Sequence, residues 1–376
     1  MIELALVCKN FLPPRAKLLL ESLASELGGN RRELRVMSRA SPPPPLNTVT
    51  ADDVAAEAGV SRWTVNRAFR RDASISEKSR TKVLEVSQRL GYAPDLLASS
   101  LRSDRSNLVA LLVDDFANPH KLVMMERLTR VLRQNGWDTL LVNTLSAEDA
   151  PGALLTASQR RVDAAILIGL NFDEQVLETA LGARRVRKLI VFARTSRNQN
   201  TISICCDDFA AMSTIAEYII SKGYLQPMFL AGPNTYSAHL MRKETFLSKW
   251  EEARGTVPEC FSVPTYDPKL AFEVVSQQLG SRDRTDLPDI IVCENDALAI
   301  GAVDAIRHCL GLRVPEDIAV TGFDDVPQAE SPNYRLTTYR QPLTAMAEGL
   351  IEVLNNQKPR TALRGFLGRM VIRRSA

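Results

Sequence analysis

The stretch that most constrains the fold is residues 50–69, TADDVAAEAGVSRWTVNRAF, whose pattern predicts two short helices joined by a tight turn. Thr50 and Asp53 resemble a capping pair at the start of the first helix, with the acid in its first turn. Gly59 supplies the turn conformation that other residues resist. Ser61 then caps the second helix. The segment therefore predicts a helix-turn-helix unit.

The second of these helices concentrates positive charge. From Ser61 onward it carries Arg62, Arg67, Arg70 and Arg71 and no acidic residue. The net charge of the whole chain is only +3, so the overall charge does not indicate a nucleic-acid partner. The local cluster of arginines does. A short arginine-rich helix, held at a fixed angle by a partner helix, fits the major groove of DNA. We therefore expect double-stranded DNA as a partner.

From Leu108 onward, apolar segments of strand length alternate with amphipathic helices. Segments such as LVALLV are apolar throughout, which is typical of parallel sheets covered by helices on both faces. There are too many strand–helix units for one sheet, so we expect two similar lobes. The predicted fold class is α/β, with an N-terminal all-α helix-turn-helix headpiece and a two-lobed core of parallel sheets.

In open sheets of this kind, ligands bind at the carboxyl ends of the strands. Polar residues stand directly after predicted strands at Asp114, Asp115, Asn295, Asp296, Asp324 and Asp325. These positions mark the edge where we expect a small molecule to bind.

Composition disfavours several classes of site and protein. The six cysteines form no Cys-x-x-Cys pair and only three histidines are present, so we expect no metal site. The sequence has no dinucleotide-binding glycine motif, P-loop or Gly-x-Ser-x-Gly elbow, and we expect neither a cofactor nor enzymatic activity. No apolar run approaches the roughly 18 residues that a membrane helix needs. An enzyme on a doubly wound fold remains the alternative.

Residues 1–47 fit poorly with the rest of the chain. They begin MIELALVCKNF, which lacks the cationic start of a secretory signal, and they end in a linker containing Pro42–Pro45. We interpret them as a poorly ordered extension, or as the product of a start assigned too far upstream of Met37. The alternative is an extra partner-binding helix at residues 15–27. The missing signal favours a cytoplasmic, nucleoid-associated protein over an exported solute-binding protein.

Six ordered segments carry a resemblance to a known family. They are VTADDVAAEAGVSRWTVNRAF, LGYAPDLLASSLRS, RRVDAAILIG, ENDALAIGA, LRVPEDIAVTGFDDVP and LTTYRQP. From about Val49 to its end, the chain resembles the LacI/GalR family of bacterial transcription regulators. The resemblance implies a DNA-binding headpiece at residues 48–93, a hinge helix and linker at 94–107, and a periplasmic-binding-protein-like effector-binding and dimerisation core at 108–376.

The same resemblance implies how the parts work together. The chain would cross between the two lobes near residues 207–209, 334–338 and 358–362. A homodimer would bind a near-palindromic operator as a repressor. Its control would come from a small-molecule effector, a sugar or sugar derivative. The sequence leaves open whether this effector releases the protein from DNA or promotes binding.

The resemblance also assigns DNA contacts. In relatives, the first two exposed positions of the recognition helix choose operator bases, and Arg62 and Trp63 occupy them. Arg67 matches a family arginine and is the residue we most expect to read a base. Phosphate binding is the alternative for Arg62, and covering of the helix packing is the alternative for Trp63. The full expected set is Thr50, Ser61, Arg62, Trp63, Thr64, Asn66, Arg67, Arg70, Leu97 and Leu101.

Leu97 and Leu101 lie one turn apart on the expected hinge helix. The resemblance implies that Leu101 wedges into the minor groove of the operator. The alternative is ordinary packing of a short helix. Ser99 replaces a basic residue that is common there, so we expect one phosphate contact fewer.

The expected effector contacts are His120, Lys121, Arg242, Tyr266 and Asp296. The resemblance implies a hydrogen bond from Asp296 to the effector and stacking by Tyr266; a helix N-cap and a surface tyrosine are the alternatives. Relatives often carry aromatic residues where His120 and Lys121 stand. If these side chains line the cleft, the effector is expected to be anionic; the alternative is that one or both face solvent.

The Asp pair of the GFDD segment has a different expected role. We expect Asp324 to link the two lobes and not to contact the effector.

Overall fold

The computed structural model describes residues 49–70, 73–95, 105–144, 149–169, 186–196, 198–233, 238–356 and 363–376. The chain divides into two compact units, one ending at Asp95 and one beginning at Leu96. We call the described residues of the first unit the headpiece and those of the second unit the core. The predicted extension at residues 1–47 and the hinge residues Leu97 and Leu101 lie outside the described residues.

The headpiece contains α1 (Ala51–Ala58), α2 (Arg62–Ala68) and α3 (Glu77–Leu90). Val54, Val65 and Val83, one from each helix, are fully buried against one another. α1 begins with the predicted capping box, in which Thr50 and Asp53 each accept a hydrogen bond from the other's backbone N–H. The predicted turn follows at Gly59, whose φ of 62° lies in the left-handed region.

The first lobe of the core is built on a parallel sheet with the strand order β13-β6-β4-β3-β1-β2. Its strands are β1 (Leu108–Val113), β2 (Asp138–Asn143), β3 (Ala164–Ile168), β4 (Lys188–Phe192), β6 (Thr201–Cys206) and β13 (Leu363–Phe366), and the short β5 (Thr195–Ser196) lies beside them. Its helices are α4 (Pro119–Gln134), α5 (Ala150–Gln159) and α11 (Leu343–Asn355). Successive residues of β1 point to opposite faces: Leu111 packs with α4 and α11, and Leu112 packs with α5.

The second lobe has a parallel sheet with the order β11-β10-β7-β9. Its strands are β7 (Pro227–Ala231), β9 (Glu259–Ser262), β10 (Ile290–Cys293) and β11 (Ala319–Thr321), with β8 (Ala238–His239) paired to β5. Its helices are α6 (Asp208–Ser221), α7 (Arg242–Arg254), α8 (Pro268–Leu279), α9 (Asp296–Asp304) and α10 (Pro327–Glu330), with a 3₁₀ turn at Arg284–Asp286 and a π turn at Ala305–Cys309. α8 and α9 cover one face of the sheet, and α6 and α7 cover the other. The two sheets confirm the predicted fold class.

Three chain segments connect the lobes. The first crossing lies at Asp207, between β6 and α6, as predicted. The second runs through β12 (Thr338–Arg340), which begins at the last residue of the predicted range. The prediction for the third crossing, at residues 358–362, was wrong, because β13 still pairs with β6 of the first lobe. The chain leaves that lobe only after Phe366 and continues as β14 (Arg369–Val371), which pairs antiparallel with β12.

Candidate DNA-binding surface and interlobe cleft

Helix α2 presents one face to the headpiece core and the opposite face to solvent. Val65 and Ala68 are buried, whereas Arg62 and Trp63 are exposed, with 65% of the Trp63 surface accessible. Apolar side chains as large as indole are seldom left this exposed without a partner surface. Trp63 therefore does not cover the helix packing, which was the alternative interpretation of this residue.

The exposed face carries a stacked pair. The guanidinium carbon of Arg67 lies 4.1 Å from the centre of the Trp63 ring. Cation–π contact at this distance holds the two side chains as a unit, since they are one helical turn apart. Arg62 forms an ion pair with Asp52 of α1 at 3.1 Å, and both side chains are exposed. An exposed ion pair contributes little to stability, so a DNA phosphate or base can replace Asp52 as the partner of Arg62.

The smaller polar residues of this surface act as caps. The Ser61 hydroxyl accepts from the Thr64 backbone N–H and lies 2.9 Å from the Thr64 hydroxyl. The Thr50 hydroxyl is bound to Asp53 at 2.8 Å. Asn66 is half-buried and Arg70 is exposed. The phosphate contacts expected from these residues remain predictions.

Arg80 of α3 holds the end of α2 in place, and the sequence analysis missed it. Its guanidinium donates to three backbone carbonyls, those of Ala68 at 2.7 Å, Arg70 at 2.9 Å and Ala73 at 3.0 Å. The final carbonyls of a helix have no partners within the helix itself. The Arg80 guanidinium therefore caps the C-terminal end of α2 and fixes the path of the chain that follows it.

We expect Arg80→Ala to lower headpiece stability by about 2–3 kcal/mol, because two half-buried carbonyls and one exposed carbonyl lose a charged donor. A domain this small has little stability to spare, so DNA affinity should fall with it. Thermal unfolding of the headpiece, followed by circular dichroism, measures the effect. The control is Arg89→Ala, whose exposed pair with Glu57 is expected to contribute less than about 0.5 kcal/mol. Equal effects of the two substitutions would contradict the role assigned to Arg80.

The core brings polar residues from both lobes together in an interlobe cleft. Those lining it are Asn118, His120, Lys121, Arg194, Arg242, Tyr266, Asn295, Asp324 and Gln341, with the apolar Met124, Ile168, Phe192 and Leu240 among them. The space they enclose is about 30 Å³, enough for only a few water molecules. Four of the five residues predicted to contact an effector, His120, Lys121, Arg242 and Tyr266, therefore meet in one nearly closed cleft.

The cations of the cleft are matched by acceptors. The Lys121 ammonium is buried and donates to Asp114 at 3.1 Å and to the Ile168 carbonyl at 2.8 Å. Burial lowers its pKa, an effect that Asp114 opposes. Arg242 donates to Asp208 at 3.1 Å and to the Glu294 carbonyl at 2.9 Å. Neither side chain faces solvent, so the solvent-facing alternative for Lys121 is wrong.

Arg242 keeps its charge in this setting. Burial disfavours the charged form, but Asp208 and Asp324 outweigh burial and hold its pKa above the usual value. The guanidinium also lies 3.6 Å from the centre of the Phe323 ring. The side chain is thus held between an aromatic face and two carboxylates, with little freedom to turn away from the cleft.

Two hydrogen-bonded bridges join the lobes across the cleft. In the first, the Gln341 amide donates to Asp324 at 2.7 Å and lies 3.2 Å from Nε2 of His120. In the second, Arg194 of the first lobe donates to the Tyr266 hydroxyl at 3.3 Å. That hydroxyl lies 2.9 Å from a carboxylate oxygen of Glu294. Asp324 thus takes the interlobe position predicted for it.

His120 is buried in the first bridge. Burial lowers its pKa, an effect that the nearby Asp324 opposes and that Arg242 and Lys121 reinforce. The imidazole is therefore neutral near pH 7 and adds no positive charge to the cleft.

Asp296 does not join the cleft lining. It is fully buried, and its two carboxylate oxygens accept from the Thr338 hydroxyl at 2.6 Å and from the Val326 backbone N–H at 2.8 Å. Burial raises its pKa well above the ordinary value, and Asp324 adds to the shift. The preceding residue, Asn295, caps α9 and lines the cleft instead. In this structure Asp296 therefore binds protein groups only, and its expected effector contact stays a prediction. Asn295 is a further candidate contact from the same strand end.

Sequence reasoning missed Arg194 and Gln341 as cleft residues. Arg194 follows β4 by two positions, so the strand-end rule that selected Asp114 would also have selected it. Gln341 follows β12, a crossing strand with no apolar pattern, and no local signal indicates its place. Glu294 directly follows β10 and could have been found by the same rule as Arg194.

Two family profiles match the chain. The profile described as bacterial regulatory proteins, lacI family, matches residues 50–95, and that described as a periplasmic binding protein-like domain matches residues 216–376. The chain therefore carries a lacI-family helix-turn-helix domain and a periplasmic-binding-protein-like domain. Its headpiece is the DNA-binding domain of a transcriptional regulator, and its core is the small-molecule-binding domain.

Individual relatives agree with the two profiles. The transcriptional repressor PurR of Proteus mirabilis is 27% identical over 307 residues, which cover 81% of this chain and 89% of PurR. PurR of Yersinia enterocolitica is 28% identical over the same share of each chain. Among solved structures, the Lac repressor bound to ONPG superposes with a TM-score of 0.73 at 23% identity, covering 88% of this chain and 100% of that chain. A CelR–cellobiose complex superposes with a TM-score of 0.63 at 22% identity, covering 87% of this chain and 100% of that chain.

No helix in the described ranges has both the length and the apolar character required to cross a bilayer. They also contain no group of three or more His, Cys, Asp and Glu side chains arranged to hold a metal ion.

Proposed function

We propose that the protein represses transcription by binding operator DNA as a homodimer, and that a small molecule in the interlobe cleft sets its affinity for the operator. The proposal rests on two features of one chain. One is the exposed pair Arg62 and Trp63 with the half-buried Arg67 stacked on Trp63, and the other is a polar cleft bridged between two lobes. The curated relatives are named as repressors, which supports repression over activation. The site of action would be the cytoplasm, and the protein would have no catalytic role.

The stacked pair of Arg67 and Trp63 is the proposed reader of operator bases. Arg67 is the residue assigned to a guanine, because a guanidinium fork matches the two acceptors that guanine presents in the major groove. Stacking on Trp63 limits the directions that this fork can take. Thr50, Ser61, Thr64, Asn66 and Arg70 would bind phosphates or neighbouring bases. Leu97 and Leu101 would form the hinge face, on the strength of the family resemblance alone.

We expect Arg67→Ala to weaken specific operator binding by about 10–100-fold, which is the worth of one bidentate base contact. Non-specific binding to random duplex should change far less, because the loss there is a single phosphate interaction. Fluorescence anisotropy with an operator selected from a random DNA pool, repeated at several salt concentrations, measures both. Arg89→Ala is the matched control, since it removes an exposed arginine from another helix of the headpiece. An equal loss on both DNAs would exclude base readout by Arg67.

A neutral, polyhydroxylated effector such as a sugar fits the cleft better than an anion. Among its cations, Lys121 is paired with Asp114, and Arg242 lies close to Asp208 and Asp324, whereas Arg194 donates to the Tyr266 hydroxyl. Such paired groups offer donors and acceptors side by side, as neighbouring hydroxyls require. An anion would have to compete with carboxylates already in place. The CelR–cellobiose complex supports a sugar on structural likeness.

The closed cleft suggests how an effector would act. Sugar-sized ligands occupy sites of several hundred Å³, whereas the volume of the interlobe cleft in this structure is about 30 Å³. An effector must therefore part the lobes or displace the Gln341 and Tyr266 bridges. It would favour the lobe arrangement that it binds more tightly, and this difference alone can change operator affinity. Whether that arrangement binds DNA more or less tightly is the outcome that an operator-binding assay with effector decides.

A thermal-shift screen of neutral sugars, sugar acids and sugar phosphates tests the effector class. A ligand that binds only the folded core raises its apparent stability by mass action, by about 2.7 kcal/mol at one hundred times its Kd. We expect stabilisation by a neutral sugar. Stabilisation by a sugar acid or phosphate alone, lost in Lys121→Met, would favour the anionic class instead. Stabilisation accompanied by turnover of the added compound would favour an enzyme.

Self-association is expected through the first lobe. Leu122 on α4 and Leu141 on the sheet-edge strand β2 are exposed, and an uncovered apolar edge strand is a surface that proteins normally pair or protect. A homodimer using this surface would also match the two-fold symmetry of an operator. Sedimentation equilibrium of Leu141→Lys beside the parent chain tests the surface, and an unchanged dimer mass would exclude it.

A further inference from the structure

A second groove in the core lies beside the interlobe cleft and is rich in arginine. Its volume is about 730 Å³, within the range of small-molecule sites. The arginines that line it are Arg127, Arg340, Arg369 and Arg373. They come from different elements: Arg127 lies on α4 of the first lobe, Arg340 and Arg369 lie on the crossing strands β12 and β14, and Arg373 follows β14. The groove is therefore a place where one ligand can touch both lobes.

Two of these arginines stand opposite each other. In the antiparallel pair of β12 and β14, Arg340 is the direct partner of Arg369. Directly opposed residues share a face of the ladder with their Cβ atoms about 4.5–5.5 Å apart, and like charges at such positions destabilise the pair. An anion between the two guanidinium groups would convert this repulsion into attraction.

The acidic residues near the groove only partly neutralise it. Asp325 is shared, because it accepts from Nε of Arg340 and, at 2.7 Å, from Arg373. Arg369 is exposed, and its side chain has no hydrogen bond or ion pair with any residue in the described ranges. Asp324 and Glu330 also line the groove, so three carboxylates stand beside four arginines. Asp325 serves two of these guanidinium groups, and that of Arg369 has no carboxylate partner among the described residues.

Arg127 closes the opposite wall. Its guanidinium donates to Thr344 at the start of α11. Its Nε, however, is buried and has no hydrogen-bond partner among the described residues. Glu126 is 3.9 Å away and is engaged more closely by Arg130, at 2.7 Å. A buried donor without an acceptor is costly, and a ligand oxygen in the groove would supply one.

We propose that this groove is a second ligand site for a small multivalent oxyanion carrying phosphate or carboxylate groups, held by Arg127, Arg340 and Arg369. Guanidinium forks match the oxygens of such groups in a bidentate manner. The groove shares Asp324 and Gln341 with the interlobe cleft. An anion bound here would therefore lie beside the same Gln341–Asp324 bridge that joins the lobes. Binding at the groove itself does not depend on the function proposed above.

Isothermal titration of the full chain with inorganic pyrophosphate tests the site. We expect Arg369→Gln to weaken binding about tenfold or more, since one charged hydrogen-bonding group is removed. This variant should fold normally, because Arg369 is exposed and unpaired within the described ranges. Arg340 is left unchanged because it also holds Asp325.

Two controls separate the groove from other basic surfaces. Arg133→Gln removes one positive charge from α4 outside the groove, and this variant should bind pyrophosphate like the parent chain. The headpiece variant Arg62→Gln/Arg67→Gln/Arg70→Gln removes the DNA-binding charge and should also retain the site. The proposal is overturned if the parent chain shows no binding at millimolar pyrophosphate, if Arg369→Gln binds unchanged, or if only the headpiece variant loses binding.

Discussion

Arg242→Met is expected to lower the affinity of the core for its effector by at least about 100-fold and to abolish the effector's influence on operator binding. The side chain is buried in the cleft and held by Asp208, the Glu294 carbonyl and the Phe323 ring. Two charged hydrogen bonds to a ligand are together worth this much or more. Methionine keeps much of the volume but supplies no donor.

The same substitution should also destabilise the core by about 3–5 kcal/mol, because it leaves the buried carboxylate of Asp208 without its cation. The double variant Arg242→Met/Asp208→Asn removes both charges and is expected to recover most of this loss. Effector binding should stay absent in the double variant. Titration calorimetry and chemical unfolding of the two variants keep the two effects apart. A double variant that regains the effector response would show that Arg242 acts on stability alone.

The headpiece could be predicted from the sequence because its determinants are local. The capping box at Thr50 and Asp53, the glycine turn at Gly59 and the cap at Ser61 are each formed by residues within a few positions of one another. Arg80 could not be predicted. It reaches carbonyls 7–12 positions earlier in the chain, and this depends on the angle between α2 and α3.

The cleft was predictable to the level of a strand end and no further. The strand-end rule indicated the neighbourhood of residues 295 and 296 correctly, but it could not choose between two adjacent side chains. Asn295 adopts the extended N-cap conformation and lines the cleft, whereas Asp296, as the first residue of α9, points into the lobe. The side chain's direction depends on where the chain enters the helix, which a sequence pattern locates only to within a residue or two.

The charge of the cleft shows a second limit of the same kind. His120 and Lys121, taken alone, predict an anionic effector. The fold places Asp324, which follows β11 of the second lobe, against His120, and turns Asp114 at the end of β1 back onto Lys121. Burial then keeps His120 neutral by lowering its pKa. The electrostatic character of a site assembled from several strands is therefore a property of the assembly and not of the segment that first attracts attention.

Asp296→Ala is the substitution that decides between the two roles considered for this residue. Asp296 ties α9 to the crossing strand β12 through Thr338 and to the chain before α10 through Val326. Its loss leaves a buried hydroxyl and a buried N–H without acceptors and opens a small cavity. Each unsatisfied group costs about 1–3 kcal/mol, so we expect a total loss of about 3–5 kcal/mol. That corresponds to a fall in core melting temperature of roughly 6–15 °C.

Asn295→Ala is the matched control, since the two residues are neighbours with opposite roles. It should cost about 1 kcal/mol through the lost cap and should reduce effector affinity much more clearly than core stability. Calorimetric melting gives the core stability of each variant, and effector titration gives its effector affinity. The four values together separate a structural role from a ligand contact. If Asp296→Ala melts like the parent chain and loses only effector binding, Asp296 is a ligand contact after all, and the cleft must open far enough to expose it. If it melts early yet retains effector affinity in the folded fraction, the clasp between α9 and β12 is structural, and Asn295 is the residue through which this strand end meets the effector.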